Sequence, residues 1–308
     1  MRQTPRRISM LYSLFAMVGL LTFGGLRTSV AQTQTLQHAS AAQAQASDQY
    51  VGNDTCAMCH QDKVDGLANN PHHKITLTHS SVGPCESCHG PGKAHVDGGG
   101  DVTKIVRFEK LTPKQIDATC LGCHANTHPN FLRSPHAKAG VNCLSCHSVH
   151  KSVPETKLLV ATQPNLCYKC HTNIKPAFAM PFHHRVNEGL ISCSDCHNVH
   201  GTFGNNNLKS TADQSAICTK CHMETRGPFV YEHAVVKGEG CMACHTPHGS
   251  QNPRLLNVPN INTLCQQCHS EVAADSVHGL NSGSQDIPPC IACHTFIHGS
   301  NLNEAFLK

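Results

Sequence analysis

All 20 cysteines of this 308-residue chain fall in one repeated word, Cys-x-x-Cys-His, and none is left over. In chain order the copies are CAMCH (Cys56, Cys59, His60), CESCH (Cys85, Cys88, His89), CLGCH (Cys120, Cys123, His124), CLSCH (Cys143, Cys146, His147) and CYKCH (Cys167, Cys170, His171). CSDCH (Cys193, Cys196, His197), CTKCH (Cys218, Cys221, His222), CMACH (Cys241, Cys244, His245), CQQCH (Cys265, Cys268, His269) and CIACH (Cys290, Cys293, His294) complete the set. This word attaches c-type haem. A spacing of three puts both sulfurs on one edge of a porphyrin, where they add to its vinyl groups as thioethers, and the next residue brings an imidazole under the iron. Zinc ribbons pair their Cys-x-x-Cys knuckles and have no use for a histidine after every second cysteine. A secreted disulfide framework would vary its spacings. With His at about 8% of residues, ten occurrences of His in that place by chance have odds of roughly one in 10¹¹.

Composition says why the chain needs the cofactor. Hydrophobic residues are 39% even with Cys counted, aromatics are 5%, there is no Trp, and mean hydropathy is −0.29. So few large apolar side chains cannot offset the ordering entropy of so long a chain. The low charged fraction of 14% argues against disorder. Haem therefore supplies the missing core, and protein made without haem attachment is expected to be unfolded.

Each haem iron takes two axial ligands. The ten motif histidines are the proximal set, and 15 others remain. Motifs starting at Cys56, Cys120, Cys167, Cys218 and Cys265 are bare, whereas those between them carry a histidine on either side. Bare motifs recur at intervals of 64, 47, 51 and 47 residues, which defines five two-haem repeats. Each repeat offers two further histidines, the number that two six-coordinate haems require. The distal set is His72 and His95, His136 and His150, His184 and His200, His233 and His248, and His278 and His298. Asn-Pro-His72 parallels Ser-Pro-His136, which favours His72 over His73 and His79; His184-Arg-Val parallels His233-Ala-Val, which favours His184 over His183. His128 fits no repeat position.

The first 31 residues read as a cleaved export signal: Arg2, Arg6 and Arg7, then an uncharged apolar stretch over residues 8–26, then Ser29-Val30-Ala31. A retained anchor is the rival reading. Residues 32–52, rich in Gln, Ala and Ser, read as a tether that includes His38, and 53–308 as the decahaem domain. Cleavage removes four arginines and no acid, so the net charge of +4 becomes 4 − 4 = 0 and gives no sign of nucleic acid as a partner. Haem propionates then make the holoprotein acidic.

The expected fold is a multihaem cytochrome c: short helices and irregular loops wrapped on a haem stack, elongated, with little or no β-sheet. Thr112-Pro-Lys-Gln115 predicts a capped helix into Cys120; Thr211–Gln214 repeats the pattern before Cys218, and Asn260 or Asn262 caps the segment of Cys265. Pro176 stops the segment after Cys170. The flanked motifs, with Gly after His200, His248 and His298, read as turns. From Cys56 onward 253 residues serve ten haems, about 25 each, so neighbouring haems must touch or nearly touch. Met58, Met223 and Met242 are expected to pack on porphyrin rather than bind iron. With enough histidines to close every iron, the chain suits electron transfer and not substrate chemistry.

CESCHGPGKAH95, RGPFVYEHAVVKGEGCMACHTPHGS and CIACHTFIHGSN resemble the repeat signatures of the periplasmic decahaem cytochromes of the MtrA/DmsE family, over Cys56 to about Phe306. The resemblance implies a continuous ten-haem wire held in an outer-membrane β-barrel porin. It also implies electron exchange between periplasmic or inner-membrane cytochromes and an outer-surface multihaem cytochrome or terminal reductase. Two other classes stand beside it: a soluble periplasmic electron shuttle, and a multihaem reductase with one open haem.

Overall fold

A computed structural model describes residues 48–68, 70–75, 82–150, 156–209, 213–270, 278 and 288–308. The expected signal segment, His38, His79 and Thr211 lie outside the described residues, as does the tether up to residue 47. The chain divides into residues 1–50 and a unit spanning Val51–Lys308, and the second carries every Cys-x-x-Cys-His motif.

Among the described residues regular structure is confined to helical pieces, with no strand and five isolated β-bridges. The α-helical segments are α1 (Asn53–Ala68), α2 (Pro84–His89), α3 (Lys93–Asp97), α4 (Pro113–His124), α5 (Pro135–Lys138), α6 (Asn165–Tyr168), α7 (Cys193–Cys196), α8 (Ala234–Gly238) and α9 (Ile261–Gln266). Single 3-10 turns fill much of the rest. None of these helices is long and apolar enough to cross a membrane.

The expected start of α4 is present in detail. Thr112 accepts the Gln115 N–H, the Gln115 side chain accepts the Thr112 N–H, and Pro113 takes the first helical position, where its missing donor is harmless. Asn260 caps α9 through the Thr263 N–H at 2.9 Å, which leaves Asn262 for another task. Two expectations fail. Bare motifs are well helical only in α1 and α4, and Cys218–Lys220 is one 3-10 turn with no capped helix before it in the described residues. The flanked motifs are themselves single helical turns, from α2 to Cys290–Ala292. The reason is shared: thioether spacing requires one turn and no more, so helix persists only where flanking residues propagate it.

Side chains build almost no core. Ile116, Phe131, Phe178, Val186 and Leu256, with Pro84 and Pro164, are the buried apolar side chains among the described residues, and none is fully enclosed. Local clamps organise each repeat instead. The residue three before a bare motif's first cysteine reaches the start of the following flanked motif. Asn53, Asp117 and Asn262 accept the N–H of Cys85, Cys143 and Cys290 at 3.4, 3.0 and 2.9 Å. In repeat 3 Gln163 holds Ser194 N–H at 3.0 Å in the same spirit.

Candidate haem centres

Each of the ten motif histidines faces a histidine from outside the motifs, with ring centres 5.9–6.5 Å apart, and His124 has a second, His128, in the same range. The pairs are His60–His95, His89–His150, His124–His72, His147–His200, His171–His136, His197–His248, His222–His184, His245–His298, His269–His233 and His294–His278. An iron between two imidazoles, with bonds of about 2 Å and about 1.2 Å more from nitrogen to ring centre on each side, sets the centres roughly 6.3 Å apart. Direct ring stacking would be much closer. The spacing therefore fits bis-imidazole iron, and all ten partners belong to the distal set expected from spacing.

Eight of the ten pairs join adjacent repeats. His72 of the first repeat faces His124 of the second while His150 of the second faces His89 of the first, and the same exchange recurs at each later junction. Only His60–His95 and His294–His278 close within one repeat, at the two ends.

In every pair one ring is anchored through Nδ1 to an acceptor oxygen. At flanked motifs the anchored ring is the motif histidine: His89, His147, His197, His245 and His294 donate to the carbonyls of Val106, Lys157, Asn206, Arg254 and Ala305. At bare motifs it is the partner: His95, His136, His184 and His233 donate to Asp101, Val199, Pro247 and Ile297, and His72 donates to Asn70 Oδ1 at 2.9 Å. A carbonyl can only accept, so Nδ1 carries the proton and Nε2 keeps its lone pair for a metal. Lys157, Asn206 and Arg254 hold φ of 66°, 54° and 59°, a left-handed conformation that aims these carbonyls at the rings.

Burial reinforces that state. Desolvation pushes His72, His150, His248 and His298 below the ordinary imidazole value, and His200 down to about 4, so these rings are neutral and able to ligate. The sulfurs follow chain order without a break. Within repeats Cys56 meets Cys85, Cys120 meets Cys143, Cys167 meets Cys193, Cys218 meets Cys241 and Cys265 meets Cys290. Between repeats Cys88 neighbours Cys120 and Cys123, Cys146 neighbours Cys170, Cys196 neighbours Cys221 and Cys244 neighbours Cys268. As free thiols, a hydrogen bond from Cys167 brings Cys193 down to about 7 and one from Cys218 brings Cys241 down to about 5, while burial lifts Cys56 to about 11. A cavity of about 470 Å³ borders His233 and His298, with Ser215, Phe229 and Val236 in its wall, a size that suits a cofactor.

The histidines outside the ten pairs separate cleanly. His183 spends both ring nitrogens, on the Met180 carbonyl and on Glu188 Oε1 at 2.9 Å, and the carboxylate raises its pKa; its neighbour His184 faces His222. His73 is exposed and His72 faces His124. His128 also lies 6.2 Å from His124, with the rings 29° apart, but its ring is engaged elsewhere. Its ring stacks on His200 at 3.9 Å, too close to admit an iron. Met58 and Met223 are exposed. Sequence reasoning missed Asn70, the carbonyl anchors and the exchange between repeats; Asn-Pro-His72 beside Ser-Pro-His136 was the one hint among the residues.

This arrangement defines a multihaem cytochrome of c type. The doubled CXXCH motif matches residues 135–176, 183–227 and 233–274, and cytochrome c554 and c-prime matches residues 98–148. The multiheme cytochrome MtrA of Shewanella baltica (strain OS185) is 35% identical over 268 residues, covering 81% of this chain and 79% of that protein. The chain belongs to the MtrA family of multihaem cytochromes, binds haem c and transfers electrons.

Proposed function

We propose that the chain holds ten haems, one on each Cys-x-x-Cys-His motif, and that the ten facing histidine pairs close all ten irons. The observation that carries this reading is the common 5.9–6.5 Å separation of those rings. Bound haem supplies a one-electron ferric/ferrous couple. The chain fixes one imidazole of each pair by an Nδ1 anchor, desolvation keeps His72, His200, His248 and His298 neutral, and the facing pairs leave no open position for a substrate, so the protein is a conductor and not an enzyme. The unbroken order of sulfur neighbours supports a continuous row of cofactors.

Residues 1–31 direct export and are removed, 32–52 tether the domain, and the five repeats of 53–308 work in the periplasm at the outer membrane. The partner is a β-barrel porin, with a periplasmic or inner-membrane cytochrome at one end and an outer-surface cytochrome or terminal reductase at the other. The resemblance to MtrA supports these partners. Intact mass of the exported protein tests the cofactor count: ten haem additions on a chain beginning after Ala31 are expected, and fewer would overturn it. Detergent extraction with partner identification tests the setting: a co-purifying barrel is expected, whereas a protein recovered alone in the periplasmic fraction favours the soluble shuttle.

A further inference from the structure

Two charged side chains are buried among the described residues, Glu86 at 4% exposure and Asp117 at 3%, and both lie in the first two repeats. Each meets donors only, as an ionised carboxylate does. Glu86 accepts the N–H of Val51 and Gly92 on Oε1, at 3.0 and 2.8 Å, and of Gly52 on Oε2 at 3.0 Å. Asp117 accepts the N–H of Cys143 at 3.0 Å, a bond that remains when the Cys143 sulfur, 3.2 Å away, becomes a thioether. Glu86 follows Cys85 in the chain and neighbours Cys56, and Asp117 lies one helical turn before Cys120 and 3.2 Å from the Cys143 sulfur, so each carboxylate sits beside attachment cysteines of both motifs in its repeat.

The clamp does not need this charge. Asn53 and Asn262 hold Cys85 and Cys290 from the same place in repeats 1 and 5, with a neutral amide oxygen. Asp117 therefore adds a buried anion to a hydrogen bond that asparagine makes elsewhere. Among the described residues, acids beside the later motifs, such as Asp195 and Glu224, are exposed and screened by water. A buried negative charge favours the ferric state of a nearby haem, because reduction adds a further electron to the same low-dielectric site.

We infer that Glu86 and Asp117 make the first two repeats the low-potential end of the molecule, so that electrons settle first on repeats 3 to 5. This rests on the haem assignments proposed above. The test is a reductive optical titration of intact holoprotein carrying Asp117→Asn or, conversely, Asn262→Asp, with haem count by intact mass. Fully loaded Asp117→Asn should lose part of the lowest-potential fraction to higher potential, and Asn262→Asp should move a fraction of the curve to lower potential. Curves of loaded variants superimposable on the parent would overturn the inference. If Asp117→Asn fails to fold, Asn262→Asp decides alone in the same way. A parent that itself carries fewer than ten haems would instead overturn the haem assignments.

Discussion

The first junction between repeats and the three later ones reach the same contact by different means. At the later junctions His136, His184 and His233 each donate Nδ1 directly to the carbonyl just before the next repeat's distal histidine, at Val199, Pro247 and Ile297. At the first, His72 stops at Asn70 Oδ1, and the buried Asn70 passes its own Nδ2 hydrogen to the Val149 carbonyl, just before His150. Close approach is divided differently too. Gly201, Gly249 and Gly299 follow the distal histidines of the later junctions, and a Cβ there would collide with Asn130, Ala177 and Phe229. After His150 the chain has Lys151, and the glycine has moved to the opposite partner: a Cβ at Gly66 of α1 would overlap the His150 carbonyl oxygen. The geometry that brings two imidazoles from neighbouring repeats face to face with motif histidines is thus constant, while the residues supplying it are interchangeable.

The largest effect should come from the glycines. Gly66→Val at the first junction and Gly249→Val at a later one both force a side chain against a backbone carbonyl that has nowhere to go, each losing at least about 1–3 kcal/mol. Thermal unfolding and haem yield check this; a tolerated Gly66→Val would show that the first junction is looser than its fellows. Next in size, Asn70→Ala strands the half-buried Val149 carbonyl and frees the His72 ring, losing about 1–3 kcal/mol. Its damage should stay local, with high-spin character appearing at the His124 haem alone. Asn70→Ser, which mimics Ser134 at the equivalent place, should not rescue it, because a hydroxyl is too short to span both groups. The smallest change is Arg254→Gly. It keeps the left-handed backbone that aims a carbonyl at His245, so it should alter stability by less than about 1 kcal/mol, whereas Arg254→Ile should lower the unfolding midpoint.

Much of this arrangement is legible in the order of the residues. The cysteine word dictates the cofactor and the repeats, and the spacing of the other histidines singles out the ten whose rings face a motif histidine. Which ring faces which is not legible there. His136 and Val199 lie 63 residues apart, and nothing in either segment announces the other. Helix is shorter than expected at Cys167 and Cys218, because one turn satisfies a thioether pair and the flanking residues decide whether the turn continues. Asn70, Gly66 and Asp117 escape notice for a similar reason: each is an ordinary residue until a distant backbone group is brought against it.

The spin state of the oxidised holoprotein is the sharpest check on ten closed irons. Electron paramagnetic resonance, quantified against the haem count, should show low-spin ferric iron throughout, as ten histidine-closed sites require. A high-spin ferric signal equivalent to one haem or more would mean that a facing pair does not hold its iron, and that the molecule keeps a position open for chemistry.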